Sequence, residues 1–139
     1  MHFIFIPRQR LLDKKKLLIH NINMKDSILR TKAIDFAADI VNFYEDFLLL
    51  KKDNTIAKQL LRSATSIGAN LNEATFGNSK ADFISKMHIA LKECSESLYW
   101  LELLKRVNYK IENIDKLLSD CNEIKALLIS SINTAKKSN

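Results

Sequence analysis

The chain has 139 residues, of which 47% are hydrophobic and 27% charged, and it contains only two glycines and one proline. This length fits one domain, and the scarcity of turn-forming residues excludes an all-β fold and favours a few long helices joined by short loops. No apolar run approaches the ~18 residues that span a bilayer, and the charges of the apolar opening follow rather than precede it, which excludes a typical secretory signal. We therefore expect a cytoplasmic protein with no membrane contact.

The net charge of +6 is concentrated near the N-terminus. Residues 1–23 contribute +4, whereas residues 24–139 hold 17 basic and 15 acidic side chains. Met24 begins a well-patterned region, so we expect 1–23 to be either an extension upstream of the native start or a mobile arm. We assign 24–135 to the domain and 136–139 to a frayed tail. Because most of the charge lies outside the domain, the charge of the whole chain is weak support for nucleic-acid binding.

The first predicted helix runs from about Asp26 to Lys51, with Asp26 and Ser27 as candidate N-caps. Apolar side chains recur at alternating steps of four and three residues, which is the spacing of one helical face: Leu29, Ala33, Phe36, Ile40, Phe43, Phe47 and Leu50. Four further residues widen this face enough for two neighbouring helices: Ala37, Val41, Tyr44 and Leu48. The segment from Asp53 to Thr55 is predicted to form the turn and the next N-cap.

The second predicted helix, from about Thr55 to Phe76, carries two stripes. One is apolar and consists of Leu60, Ala64, Ile67, Leu71 and Ala74. The other is polar and consists of Ser63, Ser66, Asn70 and Glu73. A solvated face usually carries Lys and Glu, so the polar stripe is predicted either to hydrogen-bond neighbouring helices or subunits or to contact a ligand or partner. Gly68 and its small neighbours would let another helix approach closely.

Two more helices complete the pattern. The third begins after the capping residue Ser79 and runs to about Val107, and the fourth follows the 108–113 connection and ends at about Ala135. Cys94 and Cys121 fall on inward-facing stripes and are predicted to be reduced core thiols. Four amphipathic helices joined by short loops predict an all-α, antiparallel up-down-up-down four-helix bundle. Two solvated i,i+4 ion pairs are expected on the third helix, Lys92 with Glu96 and Glu102 with Arg106.

The sequence offers little for catalysis. None of the three histidines has a metal-ligand partner at a typical spacing, and two glycines cannot build a phosphate-binding loop. We expect no enzyme activity, no cofactor, no metal and no small-molecule substrate. Tyr99 and Trp100 point about 100° apart, and Trp100 is predicted to pack at a subunit or helix edge rather than to stack on a base. The remaining candidates are solvated-face cations that would contact nucleic acid only if an oligomer concentrated them: Lys58, Arg62, Lys86 and Lys92.

Three blocks at consistent spacing carry a family resemblance. They are S-x-x-S-I-x-A-N-x-x-E-A from Ser63 to Ala74, S-K-x-D-F-I from Ser79 to Ile84, and E-x-x-Y-W-L-E-L-L from Glu96 to Leu104. With these blocks, residues 24–135 resemble the bacterial four-helix-bundle family of 23S rRNA intervening-sequence proteins, also called S23-type.

The resemblance implies a left-handed four-helix bundle that assembles as a homopentameric barrel, and it implies no established activity. Related accessory proteins of diversity-generating retroelements are pentamers that bind a reverse transcriptase and nucleic acid. By analogy, an oligomeric adaptor that contacts RNA, DNA or a nucleic-acid enzyme is one expectation. The alternative is a purely protein-binding or structural oligomer with no nucleic-acid role.

Overall fold

The computed structural model describes residues 7–50, 53–107 and 109–138, with the side chains of 18–22 excluded. These residues form four α-helices and no strand: α1 (Arg8–Leu50), α2 (Thr55–Thr75), α3 (Lys80–Arg106) and α4 (Ile114–Lys137). Each helix packs against two others, α1 and α3 each lying against both α2 and α4. The predicted all-α class is confirmed.

The predicted apolar stripes form the buried core. Phe36, Ile67 and Leu101 are at most 1% exposed and represent the large side chains that fill it. One member of the α1 stripe departs from the prediction, because Leu50 is 75% exposed. It lines an open groove of about 600 Å³ between the end of α1 and the connection from α3 to α4. None of the described helices packs over this last turn, so the apolar spacing continues there without burial.

Cys94 on α3 and Cys121 on α4 lie side by side in the core. Both thiols are free and fully buried, with their Sγ atoms 3.7 Å apart. Each Sγ also lies within hydrogen-bonding distance of the other residue's carbonyl oxygen, at 3.4 and 3.6 Å. The hydrogen bond to Cys94 and burial together raise the pKa of the Cys121 thiol. The prediction of structural core thiols is confirmed.

The predicted cap of α3 forms, whereas the N-cap residue of α2, Asn54, makes no side-chain cap bond and the preceding Asp53 bonds to the first turn instead. Ser79 Oγ accepts a hydrogen bond from the backbone N–H of Asp82 at 3.1 Å. Asp53 Oδ1 accepts bonds from both the backbone N–H and the hydroxyl of Thr55, at 2.9 and 2.7 Å, and these bonds lower the pKa of Asp53. Such side-chain acceptors satisfy N–H groups that lack an intrahelical partner.

The start of α1 and the end of α4 differ from the predictions. Helix α1 begins at Arg8, so Asp26 and Ser27 lie inside the helix instead of capping it. No Pro or Gly interrupts residues 8–26, and nothing there stops a helix from propagating. Helix α4 ends at Lys137, two residues beyond the predicted end at about Ala135, and the N–H of Ser138 closes its last turn on the carbonyl of Thr134. Lys136 and Lys137 in that turn stabilise it by facing the negative end of the helix dipole.

Gly68 lies in the middle of α2, opposite Ala33 of α1. A Cβ atom added to Gly68 would lie 3.8 Å from the Ala33 Cβ, which is an ordinary van der Waals distance. We therefore expect Gly68→Ala to raise the free energy of unfolding by about 0.5–1 kcal/mol, since Gly is that much less favourable than Ala in a helix interior. Urea denaturation followed by circular dichroism measures the change.

Gly77 supplies the matched control for this substitution. A Cβ atom there would lie 3.2 Å from the carbonyl oxygen of Ala74, a tight contact with backbone. We expect Gly77→Ala to give no stabilisation. A loss of stability in Gly68→Ala would show that α1 and α2 approach more closely than these distances allow.

Candidate functional site

The polar stripe of α2 begins at a buried contact with α3. Ser63 and Ser97 are both fully buried, and their hydroxyl oxygens lie 2.8 Å apart. Ser97 Oγ donates to the carbonyl oxygen of Glu93 at 2.9 Å. Ser63 Oγ also lies 3.2 Å from the carbonyl oxygen of Leu60, so each hydroxyl has an acceptor within its own helix and either one can donate across the contact. The pair joins α2 to α3 at a point where both side chains are small.

The middle of the stripe bonds only to its own helix. Ser66 Oγ donates to the carbonyl of Arg62 at 2.7 Å, and Asn70 Nδ2 donates to the carbonyl of Ser66 at 2.8 Å. Both side chains are half-buried. Within the described part of the chain, neither makes a hydrogen bond to another helix. They therefore line the outer edge of the α2–α3 junction.

Two ion pairs cross from α2 to α3 at this junction. Arg62 Nη2 lies 2.7 Å from Glu96 Oε1, and Lys86 Nζ lies 2.6 Å from Glu73 Oε2. Two of the four candidate nucleic-acid cations are thus paired with carboxylates of the same chain. The other two, Lys58 and Lys92, are exposed and have no ion pair among the residues described.

The ion pairs predicted along α3 do not form. Glu96 accepts from Arg62 across the junction and from Trp100 Nε1 at 3.1 Å, and these two donors turn its carboxylate towards α2 and away from Lys92. In the described structure Glu102 and Arg106 also stay apart. Exposed pairs of this kind gain at most about 1 kcal/mol, so their absence costs α3 little stability.

The two adjacent aromatic residues of α3 divide between surface and core. Tyr99 is 60% exposed, whereas Trp100 is half-buried and packs against the core cluster. Their ring centroids lie 5.0 Å apart at an angle of 72°, an edge-to-face arrangement. Tyr99 therefore presents an aromatic surface to solvent.

A second surface was not predicted from the sequence. Ile34, Val41 and Leu48 on α1 are 67, 38 and 42% exposed and recur every seven residues. We call these three residues the outer stripe of α1. The sequence feature that indicated this surface was the width of the apolar face of α1, because that face has more apolar residues than the core buries.

Two further polar features of the described residues are Lys116 and Glu93. Lys116 Nζ, beside the groove at the end of α1, lies 3.2 Å from Asp39 Oδ2 and 2.7 Å from Asp120 Oδ2. Glu93 Oε2 is buried and has no hydrogen-bond partner among the described atoms. Among these residues, no three His, Cys, Asp or Glu side chains cluster closely enough to hold a metal. No described helix combines the length and hydropathy needed to cross a bilayer.

Comparison with known proteins assigns the family. Residues 25–130 match the model of the 23S rRNA-intervening sequence protein family. A protein of unknown function from the S23 ribosomal protein family of Bacteroides thetaiotaomicron, known from its crystal structure, is 46% identical to this chain with a TM-score of 0.75. That match covers 78% of this chain and 98% of the other. No curated protein matches. The chain belongs to the 23S rRNA-intervening sequence protein family.

Proposed function

We propose that this protein is a non-enzymatic oligomeric adaptor. Its four helices form an antiparallel bundle, and copies of the bundle associate as a homopentameric barrel that binds nucleic acid or an enzyme acting on nucleic acid. The observation that carries the self-association is the outer stripe of α1. Among the described residues, these three aliphatic side chains keep 38–67% of their surface exposed.

The spacing of the outer stripe supports a helix–helix contact. A repeat of seven residues keeps side chains on one side of a helix, as in the packing seam of a coiled coil. Isolated exposed aliphatic residues are ordinary, but three that recur on one side of the same helix have the arrangement of an interaction surface. We therefore assign the outer stripe to the contact between copies.

Removing the outer stripe should dissociate the oligomer. We expect the double variant Ile34→Asp/Val41→Asp to run as a monomer while the wild-type chain runs as a pentamer, because two carboxylates cannot be buried unpaired in an apolar contact. Native mass spectrometry and analytical ultracentrifugation measure the assembly, and circular dichroism checks that the helices remain.

An exposed aliphatic residue on α4 provides the control. Ile129 on α4 is 42% exposed, like Leu48, but lies on another helix. Ile129→Asp should leave the oligomer intact. A monomeric wild-type protein at micromolar concentration, or an oligomeric Ile34→Asp/Val41→Asp variant, would contradict the assignment of this surface.

A nucleic-acid role is supported by charge. The first turns of α1 are exposed and contribute +4 of the net charge of +6. Protein purified at low salt should then retain RNA or DNA, visible as added mass on the oligomer and as a raised ratio of absorbance at 260 to 280 nm. A bare oligomer that captures only protein would support the alternative, a purely protein-binding adaptor.

A further inference from the structure

The first turns of α1 form a cationic projection. We call residues 7–17 the basic arm. They contain Arg8, Arg10, Lys14, Lys15 and Lys16 with one acid, Asp13, for a net charge of +4. Every side chain of the basic arm is exposed. We propose that the basic arm, rather than the α2–α3 surface, contacts nucleic acid by binding its phosphate backbone without sequence preference. This inference rests on the proposed nucleic-acid association.

The cations of the basic arm are available, whereas several of those on the helical body are not. None of the five forms an ion pair within the described structure, and Asp13 only accepts a long 3.5 Å hydrogen bond from Gln9. On the body, five cations lie within 4 Å of a carboxylate: Lys32, Arg62, Lys86, Lys105 and Lys116. A phosphate would have to compete with these carboxylates, but it meets no such competitor on the arm.

The distribution of side chains around the arm favours nucleic acid over a membrane surface. A helix turns about 100° per residue, so Lys14, Lys15 and Lys16 point in three different directions. Leu11 and Leu17, 44 and 61% exposed, also lie about 120° apart around the axis. Helices that lie on membranes need one contiguous apolar face. The basic arm has charges on all sides instead, which suits a polyanion that surrounds or crosses it.

The length of the arm also matches a short run of phosphates. At 1.5 Å per residue, Arg8 to Leu17 spans about 14 Å. One nucleic-acid strand carries a phosphate about every 3.4 Å along a duplex axis, so about four phosphates lie along the arm, equal to its net charge. Leu17 stands about 18 Å along the axis from Leu29, the first residue of the core stripe. A strand can therefore bind the arm without displacing the packed helices.

The test compares two charge-matched variants of the full chain. The arm variant is Lys14→Gln/Lys15→Gln/Lys16→Gln, and the body control is Lys58→Gln/Lys92→Gln/Lys136→Gln, which removes three exposed lysines from elsewhere. The probe is a fluorescein-labelled single-stranded RNA of about 20 nucleotides and mixed sequence, a length that exceeds the arm at ~3.4 Å per nucleotide. Binding is followed by fluorescence anisotropy across a series of KCl concentrations.

The arm variant should lose both affinity and salt dependence. Each phosphate contact on a single strand contributes about −0.7 to the slope of log K against log salt, so three lost contacts reduce the slope by about 2 and weaken binding on the order of 100-fold at ~0.1 M salt. The body control should change affinity less than about threefold, because dispersed solvated charges contribute little.

Three results would overturn the proposal. The first is an arm variant with wild-type affinity and slope, and the second is a body control that loses as much as the arm variant. The third is arm-dependent binding to phosphatidylserine-containing vesicles in place of RNA, which would assign the arm to a membrane. If the wild-type oligomer binds no RNA, both this inference and the proposed nucleic-acid association are wrong. The proposal of an oligomeric adaptor is not affected by that result.

Discussion

Replacing Phe36 by alanine should lower the free energy of unfolding by about 3–5 kcal/mol. Phe36 lies on α1 and is 1% exposed. Its loss leaves a cavity where α1 meets the rest of the core, and the surrounding side chains relax only in part. Urea denaturation of the full chain, followed by circular dichroism at a fixed protein concentration, measures the change.

Leu49→Ala on the same helix is the matched control. Leu49 is 86% exposed, so its truncation removes little buried surface and should cost less than about 0.5 kcal/mol. Equal effects of the two substitutions would mean that the α1 stripe does not face the core. Comparing the stability losses of the two variants therefore tests the orientation of α1, whatever the absolute stability of the protein.

The second large effect is expected at the contact between α2 and α3. Ser63→Leu should cost about 2–3 kcal/mol, because the site holds two serines 2.8 Å apart with no exposed surface, and a larger side chain must push the helices apart. Thermal and urea denaturation both report the loss.

Two further variants separate the effect of added side-chain volume from the effect of the lost hydrogen bond. Ser63→Ala removes the hydroxyl without adding volume and should cost about 1 kcal/mol. Ser66→Leu places the same large side chain one turn further along, on the half-buried edge of the junction, and should cost less than Ser63→Leu. A Ser63→Leu variant as stable as the wild type would contradict the close approach of α2 and α3.

The fold class and most of the core follow from spacing alone. Steps of four and three residues placed Phe36, Ile67 and Cys94 on faces that are buried. The start of α1 could not be predicted in this way. Asp26 and Ser27 are residue types that favour the N-cap position. An N-cap residue marks the start of a helix only where the segment before it resists helix formation, and residues 8–25 contain no helix breaker.

The hydrogen-bond and ion-pair partners of the candidate-site residues were harder to predict than the residues themselves. Ser63 and Ser66 belong to one polar stripe, yet only Ser63 reaches α3. Which residue of a stripe meets a neighbouring helix depends on the axial offset between the two helices, and the spacing within one helix does not encode that offset. The same offset brings Arg62 to Glu96 and overrides the local pairing of Glu96 with Lys92.

The contact between α1 and α4 has a consequence for biosynthesis. A ribosome completes α1 first, yet α4, one of its two packing neighbours, is the last helix to be translated. At about 5–20 residues per second, several seconds separate the two. During that interval the nascent chain can make only the α2 contact of α1, so the flank of α1 that later meets α4 stays uncovered until α4 has been synthesised.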